Sequence, residues 1–122
     1  MSFDFDIGVD FVPFVIGLSV VFVGFWVFRK LRQVKPELAH EWVERGAVLL
    51  DVRSEAEFAS GHLPGAINVP LPVLTRQTDG VGEVTKPVVV YCASGMRSAL
   101  AERVLKRAGF TQVADLGSMS RW

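Results

Sequence analysis

The chain's one cysteine, Cys92, ends the apolar run Pro87-Val88-Val89-Val90-Tyr91-Cys92 and opens the segment Cys92-Ala93-Ser94-Gly95-Met96-Arg97-Ser98. The run reads as a buried strand. Beyond it, Leu100, Ala101, Val104 and Leu105 give one apolar side to a helix from Ser98 to about Ala108, stopped by Gly109. A thiol between a strand and a helix N-terminus is placed for nucleophilic chemistry. A short loop there can turn its backbone N–H groups inward as an anion nest, and Gly95 permits the curl. The helix dipole and Arg97 both favour negative charge at that point. A buried, inert cysteine is a common fate of this residue. The order strand, cysteine, glycine, arginine, helix favours a reactive one. Ser94 and Ser98 are candidate donors to a bound sulfur or oxyanion, and Ser98 is alternatively only the helix N-cap.

The elements that must position this loop follow an alternating pattern. Val34–Gly46 reads as a helix with Pro36 in its first turn and an apolar face of Leu38, Trp42 and Val43. Ala47–Val52 is a short buried strand. Ser54 and Glu57 form a capping box for a brief helix through Phe58 and Ala59. A turn at 61–65 leads to a strand at Ala66–Val69, then a short helix at Leu71–Gln77, a polar loop at Thr78–Lys86, and a last strand at Gln112–Leu116 after the central helix. Strands alternating with helices predict an α/β domain with a parallel sheet covered on both faces, and such sheets bind ligands at the carboxyl ends of their strands. Cys92 lies at such an end. His40 is placed on a helix surface and His62 in the turn.

At the level of motifs the chain resembles the rhodanese family of sulfurtransferases. Leu49–Leu71 (LLDVRSEAEFASGHLPGAINVPL) is similar to its first signature, with D-x-R, E-F, G-H-x-x-G-A and N-x-P elements. Val88–Phe110 (VVVYCASGMRSALAERVLKRAGF) is similar to its catalytic signature, C-x-x-G-x-R followed by a helix. The resemblance implies a rhodanese-like parallel sheet flanked by helices. It implies that Cys92 takes up a sulfur atom as a persulfide, with Ala93, Ser94, Gly95, Met96, Arg97 and Ser98 forming the binding loop and Arg97 assisting anion binding. Asp51, Arg53 and Glu57 are given structural support, through an ion pair of Arg53 with a nearby carboxylate. The donor would be thiosulfate or a persulfide, and no cofactor is implied. Four residues separate Cys92 from Arg97. Related phosphatases and arsenate reductases use a longer loop for a tetrahedral oxyanion, so the shorter one favours sulfur. Met96 is apolar where a thiosulfate specialist would carry a second cation. The family commonly has Gly-Gly before a tryptophan and then a further helix. Here Ser118 replaces the second glycine and the sequence given stops at Trp122, so the closing element is expected to be missing or otherwise supplied.

The N-terminal part is of another kind. Phe11–Phe28 runs for 18 residues without a charge. As a helix it would span roughly 27 Å, close to a bilayer's hydrocarbon core. This predicts three parts: an N-terminal segment 1–28 holding a transmembrane helix (about 7–28), a basic juxtamembrane linker 29–35, and a rhodanese-like domain 36–122. Trp26 suits the interface. Asp4, Asp6 and Asp10 precede the span, and Arg29, Lys30, Arg32 and Lys35 follow it. The acidic start and the basic flank argue against a cleaved signal peptide. The positive-inside rule predicts a single-pass protein of the cell (inner) membrane, its N-terminus outside and its domain in the cytoplasm. Gly17 and Gly24, one heptad apart, could form a packing face, which leaves the oligomeric state open.

The formal net charge of zero and mean hydropathy of +0.34 average over these unlike parts. All 13 basic residues and ten of the 13 acids follow Phe28, too weak an excess to argue for nucleic acid. One Cys and two His exclude an internal disulfide scaffold and give no metal cluster. A lone thiol also requires an external sulfur acceptor, such as another molecule's thiol. Two other function classes fit the same chain: a non-enzymatic adaptor that recruits a partner to the membrane, and a small phosphatase or arsenate reductase.

Overall fold

The computed structural model describes residues 8–122, with side chains from Phe14 onward. Asp4, Asp6, Ile7 and the side chain of Asp10, which the sequence assigns to the outer end of the span, lie outside the described residues. The chain divides into two units at the Arg32–Gln33 junction.

The first unit is helix α1, Gly8–Arg32. It is long and apolar enough to cross a membrane, and its large apolar side chains from Phe14 to Phe28 are exposed. Ser19, in the apolar stretch, satisfies its hydroxyl on the Val15 carbonyl at 2.8 Å. The helix runs on through Arg29, Lys30 and Arg32, beyond the start of the basic segment read as a linker. Each of these cations lies over the ring one turn back: Arg29 over Phe25 at 6.0 Å, Lys30 over Trp26 at 4.5 Å and Arg32 over Phe28 at 5.5 Å. Positive charge at a helix C-terminus and cation–π contact at i,i+4 spacing both favour the extension.

The second unit contains the elements α2 (Pro36–Glu44), β1 (Val48–Asp51), α3 (Glu55–Ala59), β2 (Ile67–Asn68), α4 (Leu71–Leu74), β3 (Val88–Cys92), α5 (Met96–Arg107) and β4 (Val113–Ser118). The strands form a four-stranded sheet in the order β2-β1-β3-β4, parallel at every pairing. All of β3 is buried, as expected of a central strand covered on both faces. Its side chains alternate. Val88, Val90 and Cys92 enter one core with Leu50, Leu74, Ala101 and Leu105. Val89 and Tyr91 enter the other with Ala39, Leu49 and Leu116. The capping box at Ser54 and Glu57 is present.

Several local readings change. Helix α5 begins at Met96, two residues before Ser98, because Gly95 caps it in a left-handed conformation (φ 96°) with no side chain involved. Strand β4 continues to Ser118 through a bulge, which shifts its register on β3 between Val90 and Tyr91. His40 is half-buried rather than exposed. Trp122 stacks on it at 3.6 Å and packs against the α2-side core, following a 3-10 turn at Met119–Arg121.

Gly117 sits in the bulge at φ 84°, and a Cβ there would also meet the Gln33 side-chain amide. Gly117→Ala is expected to lower stability by about 1–2 kcal/mol, the cost of a left-handed L-residue, read as a lower denaturation midpoint of the full-length protein.

Candidate active site

The site is built where β1 and β3 end side by side and hand the chain to α3 and α5. Asp51 pairs with Tyr91 in register, so both strands terminate at the same level. Cys92 follows as the last residue of β3 and is fully buried. Its Sγ accepts the Gly95 N–H at 2.9 Å. This bond closes the loop back on the sulfur, and it strengthens when the sulfur carries negative charge. Gly95 is buried with it, while Ala93, Ser94 and Met96 form an exposed rim.

The loop is fastened from below and from the side. Ser98 is fully buried, and its hydroxyl donates to the Gly95 carbonyl at 3.1 Å. Asp115 of β4 stands beyond it. Burial raises the Asp115 pKa, and the nearby Ser98 hydroxyl and the Gly117 N–H, which donates to Asp115 Oδ1 at 2.8 Å, partly offset that rise. From the side, Arg97 Nη1 and Nη2 donate to Glu57 Oε1 and Oε2 at 2.6 and 3.0 Å. Glu57 Oε1 also accepts the Ser54 N–H at 3.2 Å, within the capping box. The Arg97 guanidinium first, and the Ser54 amide after it, hold the Glu57 carboxyl down to about 2. Arg97 is correspondingly raised by Glu57.

Asp51 and Arg53 form a separate, buried pair. Arg53 Nε and Nη2 donate to Asp51 Oδ2 at 3.0 and 2.8 Å, and the Arg53 N–H donates to Oδ1 at 2.8 Å. Nη2 also donates to the Gly61 carbonyl at 2.6 Å, which ties the end of β1 to the following turn. The sequence thus placed Asp51, Arg53 and Glu57 in one supporting group, and the structure divides them: Glu57 bonds to the loop arginine instead.

Sequence reasoning passed over three other contributors. The Asn68 amide donates to the Asp51 and Arg53 carbonyls at 3.0 and 2.9 Å. The Tyr91 hydroxyl accepts the Leu63 N–H at 3.1 Å, and burial, with Asp51 nearby, pushes its pKa up to about 12. Asp115 is the third. Each carried a weak signal, being a polar residue within an apolar strand or beside its end. His62 lies in its turn with Nδ1–H donating to the Phe58 carbonyl at 2.9 Å. No group of three or more His, Cys, Asp or Glu side chains able to hold a metal occurs among the described residues.

A thiol at a strand end, ringed by a short loop and the N-terminus of α5, is the arrangement the catalytic signature implies. The model of the Rhodanese-like domain matches residues 35–122, nearly the whole second unit. The chain belongs to the rhodanese-like domain family. It is similar to the uncharacterized protein YqhL of Bacillus subtilis, at 38% identity over 79 residues, 64% of this chain and 62% of that protein. The match therefore spans somewhat under two thirds of YqhL's length. It is also similar to the thiosulfate sulfurtransferase GlpE of Pseudomonas fluorescens, at 33% identity over 97 residues, 76% of this chain and 85% of that one. Among solved structures, a human single-domain sulfurtransferase superposes with a TM-score of 0.65 at 27% identity, covering 75% of this chain and 94% of that one. The rhodanese-like fold is thus an α/β parallel four-stranded sheet flanked by helices, preceded here by a long apolar helix.

The Glu57 carboxyl sets a pH signature for this rhodanese-like domain. Its folded pKa, about 2, lies below the 4.5 of an ordinary glutamate carboxyl. Its stabilisation is therefore fully present above pH 4.5 and is lost as the pH falls towards 2. The stability margin of the wild type over Glu57→Gln, measured by denaturation across this range, should shrink with acidification. A margin independent of pH would count against the ion pair.

Proposed function

We propose that this protein is a sulfurtransferase anchored in the membrane by α1, carrying sulfur as a persulfide on Cys92. The observation that supports this best is the Gly95 N–H donated to Cys92 Sγ at 2.9 Å, inside a loop closed by Arg97 and Ser98. In the proposed cycle the Cys92 thiolate attacks the sulfane sulfur of a donor. The donor's S–S bond breaks, its leaving group departs with the electron pair, and Cys92 becomes a persulfide. An external thiolate then attacks the outer sulfur and regenerates the Cys92 thiolate. A lone cysteine cannot resolve the persulfide within its own chain, so the acceptor is external, a thiol or another nucleophile.

The loop amides and the N-terminus of α5 stabilise negative charge on the sulfur during both steps. Sγ has no exposed surface, so the 93–96 rim must shift outward to admit a donor. Asp51, Arg53 and Asn68 fix the end of β1, and Glu57 and Ser98 fix the loop. The short Cys92–Arg97 spacing disfavours a tetrahedral oxyanion, and phosphatase chemistry would further need a general acid for the leaving oxygen. Relatives named as thiosulfate sulfurtransferases support the sulfurtransferase reading over the adaptor.

Helix α1 supports the anchor by length, composition and exposure of its apolar side chains. Its basic last turn supports a cytoplasmic domain in the cell (inner) membrane with the N-terminus outside. The proposed division is a membrane-spanning segment through Phe28, the basic stretch 29–35, and the domain from Pro36.

Cys92→Ser should abolish sulfur transfer from donor to thiol while leaving the fold intact by circular dichroism. Transfer at the wild-type rate in that variant overturns the mechanism. A reporter fused after Trp122 should be active only in the cytoplasm, and periplasmic activity would reverse the orientation.

A further inference from the structure

Asp115 of β4 is buried beneath the site, and the proposed cycle does not use it. Its place is well fixed. Its carbonyl accepts the Val34 N–H at 2.8 Å, and its Oδ1 accepts the Gly117 N–H at 2.8 Å. Helix α5 presents Ser98 and Glu102 to it, one turn apart and both buried, with Lys106 a further turn on at 3.0 Å from Glu102. Arg121, after β4, donates to the Leu116 carbonyl. On β3 the residue paired with Asp115 is the apolar Val90, and Cys92 ends that strand. Burial foremost, and Glu102 with it, keep Asp115 neutral to higher pH than an ordinary aspartate; the Ser98 hydroxyl, the Gly117 N–H and Arg121 act against them.

The Ser98 hydroxyl lies within hydrogen-bonding reach of this carboxyl, yet it donates to the Gly95 carbonyl at 3.1 Å. A hydroxyl has one hydrogen and spare acceptor capacity. A neutral Asp115 therefore donates its own hydrogen to Ser98 Oγ and leaves the Ser98–Gly95 bond in place. An Asp115 carboxylate has no hydrogen to give and competes with the Gly95 carbonyl for the one on Ser98; the charged acceptor forms the stronger bond. The Gly95 carbonyl is then left with the Ala99 N–H at 3.3 Å. Gly95 is also the residue whose N–H holds Cys92 Sγ, in a loop that gives the sulfur no exposed surface. We propose that Asp115 is a positioning residue for Cys92, a latch that acts through Ser98: as the neutral acid it keeps the 93–96 loop shut over the sulfur, and as the carboxylate it frees the Gly95 carbonyl and lets the loop open. The proton lost by Asp115 passes to water, and the Ser98 hydrogen only turns about its C–O bond. The part the latch plays in turnover rests on Cys92 being the sulfur carrier.

Full-length protein in detergent is alkylated with iodoacetamide, a neutral reagent that meets a single cysteine. Rates are taken from about pH 5 to about pH 9 and divided by the thiolate fraction, read from ultraviolet absorbance against Cys92→Ser, so that ionisation of the thiol itself cancels. In the wild type the rate per thiolate should rise with pH by roughly tenfold, the worth of one net hydrogen bond. Its midpoint should lie above the ordinary aspartate range. Asp115→Asn keeps an acceptor for the Gly117 N–H and a donor for Ser98, so it should hold the rate low at every pH. Ser98→Ala removes the latch bond and should hold the rate high at every pH. A merely structural role would move both variants the same way and leave the pH step in place. A wild-type rate per thiolate constant within about twofold over this range overturns the proposal. So does a step that survives in Asp115→Asn, since it then belongs to Glu102 or another group. Alkylation needs no sulfur donor, so the latch is read whether or not Cys92 transfers sulfur, and the two readings fail separately.

Discussion

Glu57 divides its carboxylate between two elements. One oxygen caps α3, and both hold the guanidinium of Arg97, the second residue of α5. Helix α3 follows β1 and helix α5 follows β3, so one side chain couples the two strand-to-helix connections that frame Cys92. Gly95 supplies the left-handed turn, Ser98 fastens its carbonyl, and the sulfur receives its N–H. Without the Glu57–Arg97 bond, the first turn of α5 would lose its link to α3.

Beneath this clamp, β3 decides which way the sulfur faces. Period-two alternation sends Val88, Val90 and Cys92 to the α5 side and Val89 and Tyr91 to the α2 side. Moving the thiol by one residue would bury it in the wrong core. The Asp51–Arg53 pair then fixes the level at which the neighbouring strand stops. It is almost wholly removed from solvent, and such a pair contributes little net stability but is costly to break from one side. Its value here is placement: it joins the end of β1 to the Gly61 carbonyl.

Much of this was legible in the sequence because the signals were local. The VVVYC run, the Ser54–Glu57 box and the apolar face of α5 each depend on residues within a few positions of one another. What was not legible depended on distance or on backbone shape. The sequence predicts α5 from Ser98, whereas a left-handed Gly95 caps the helix two residues earlier without a side chain. The Glu57–Arg97 bond joins residues 40 apart, and the stacking of Trp122 on His40 joins the domain's two ends; no spacing rule reaches either. The bulge in β4 has no single-residue signature, although Asp115 and Gly117 in an apolar strand mark its place. The extension of α1 through Arg32 reflects cations that lie over aromatic rings one turn away.

The chemistry proposed here lies in the loop after β3, and all of it turns on one sulfur atom. The most direct measurement is peptide-level mass spectrometry of the full-length protein after exposure to a sulfur donor. The account predicts an added mass of about 32 Da, one sulfur atom, on the peptide containing Cys92, removed on treatment with an external thiol. An unmodified Cys92 under conditions in which the protein transfers sulfur would contradict it.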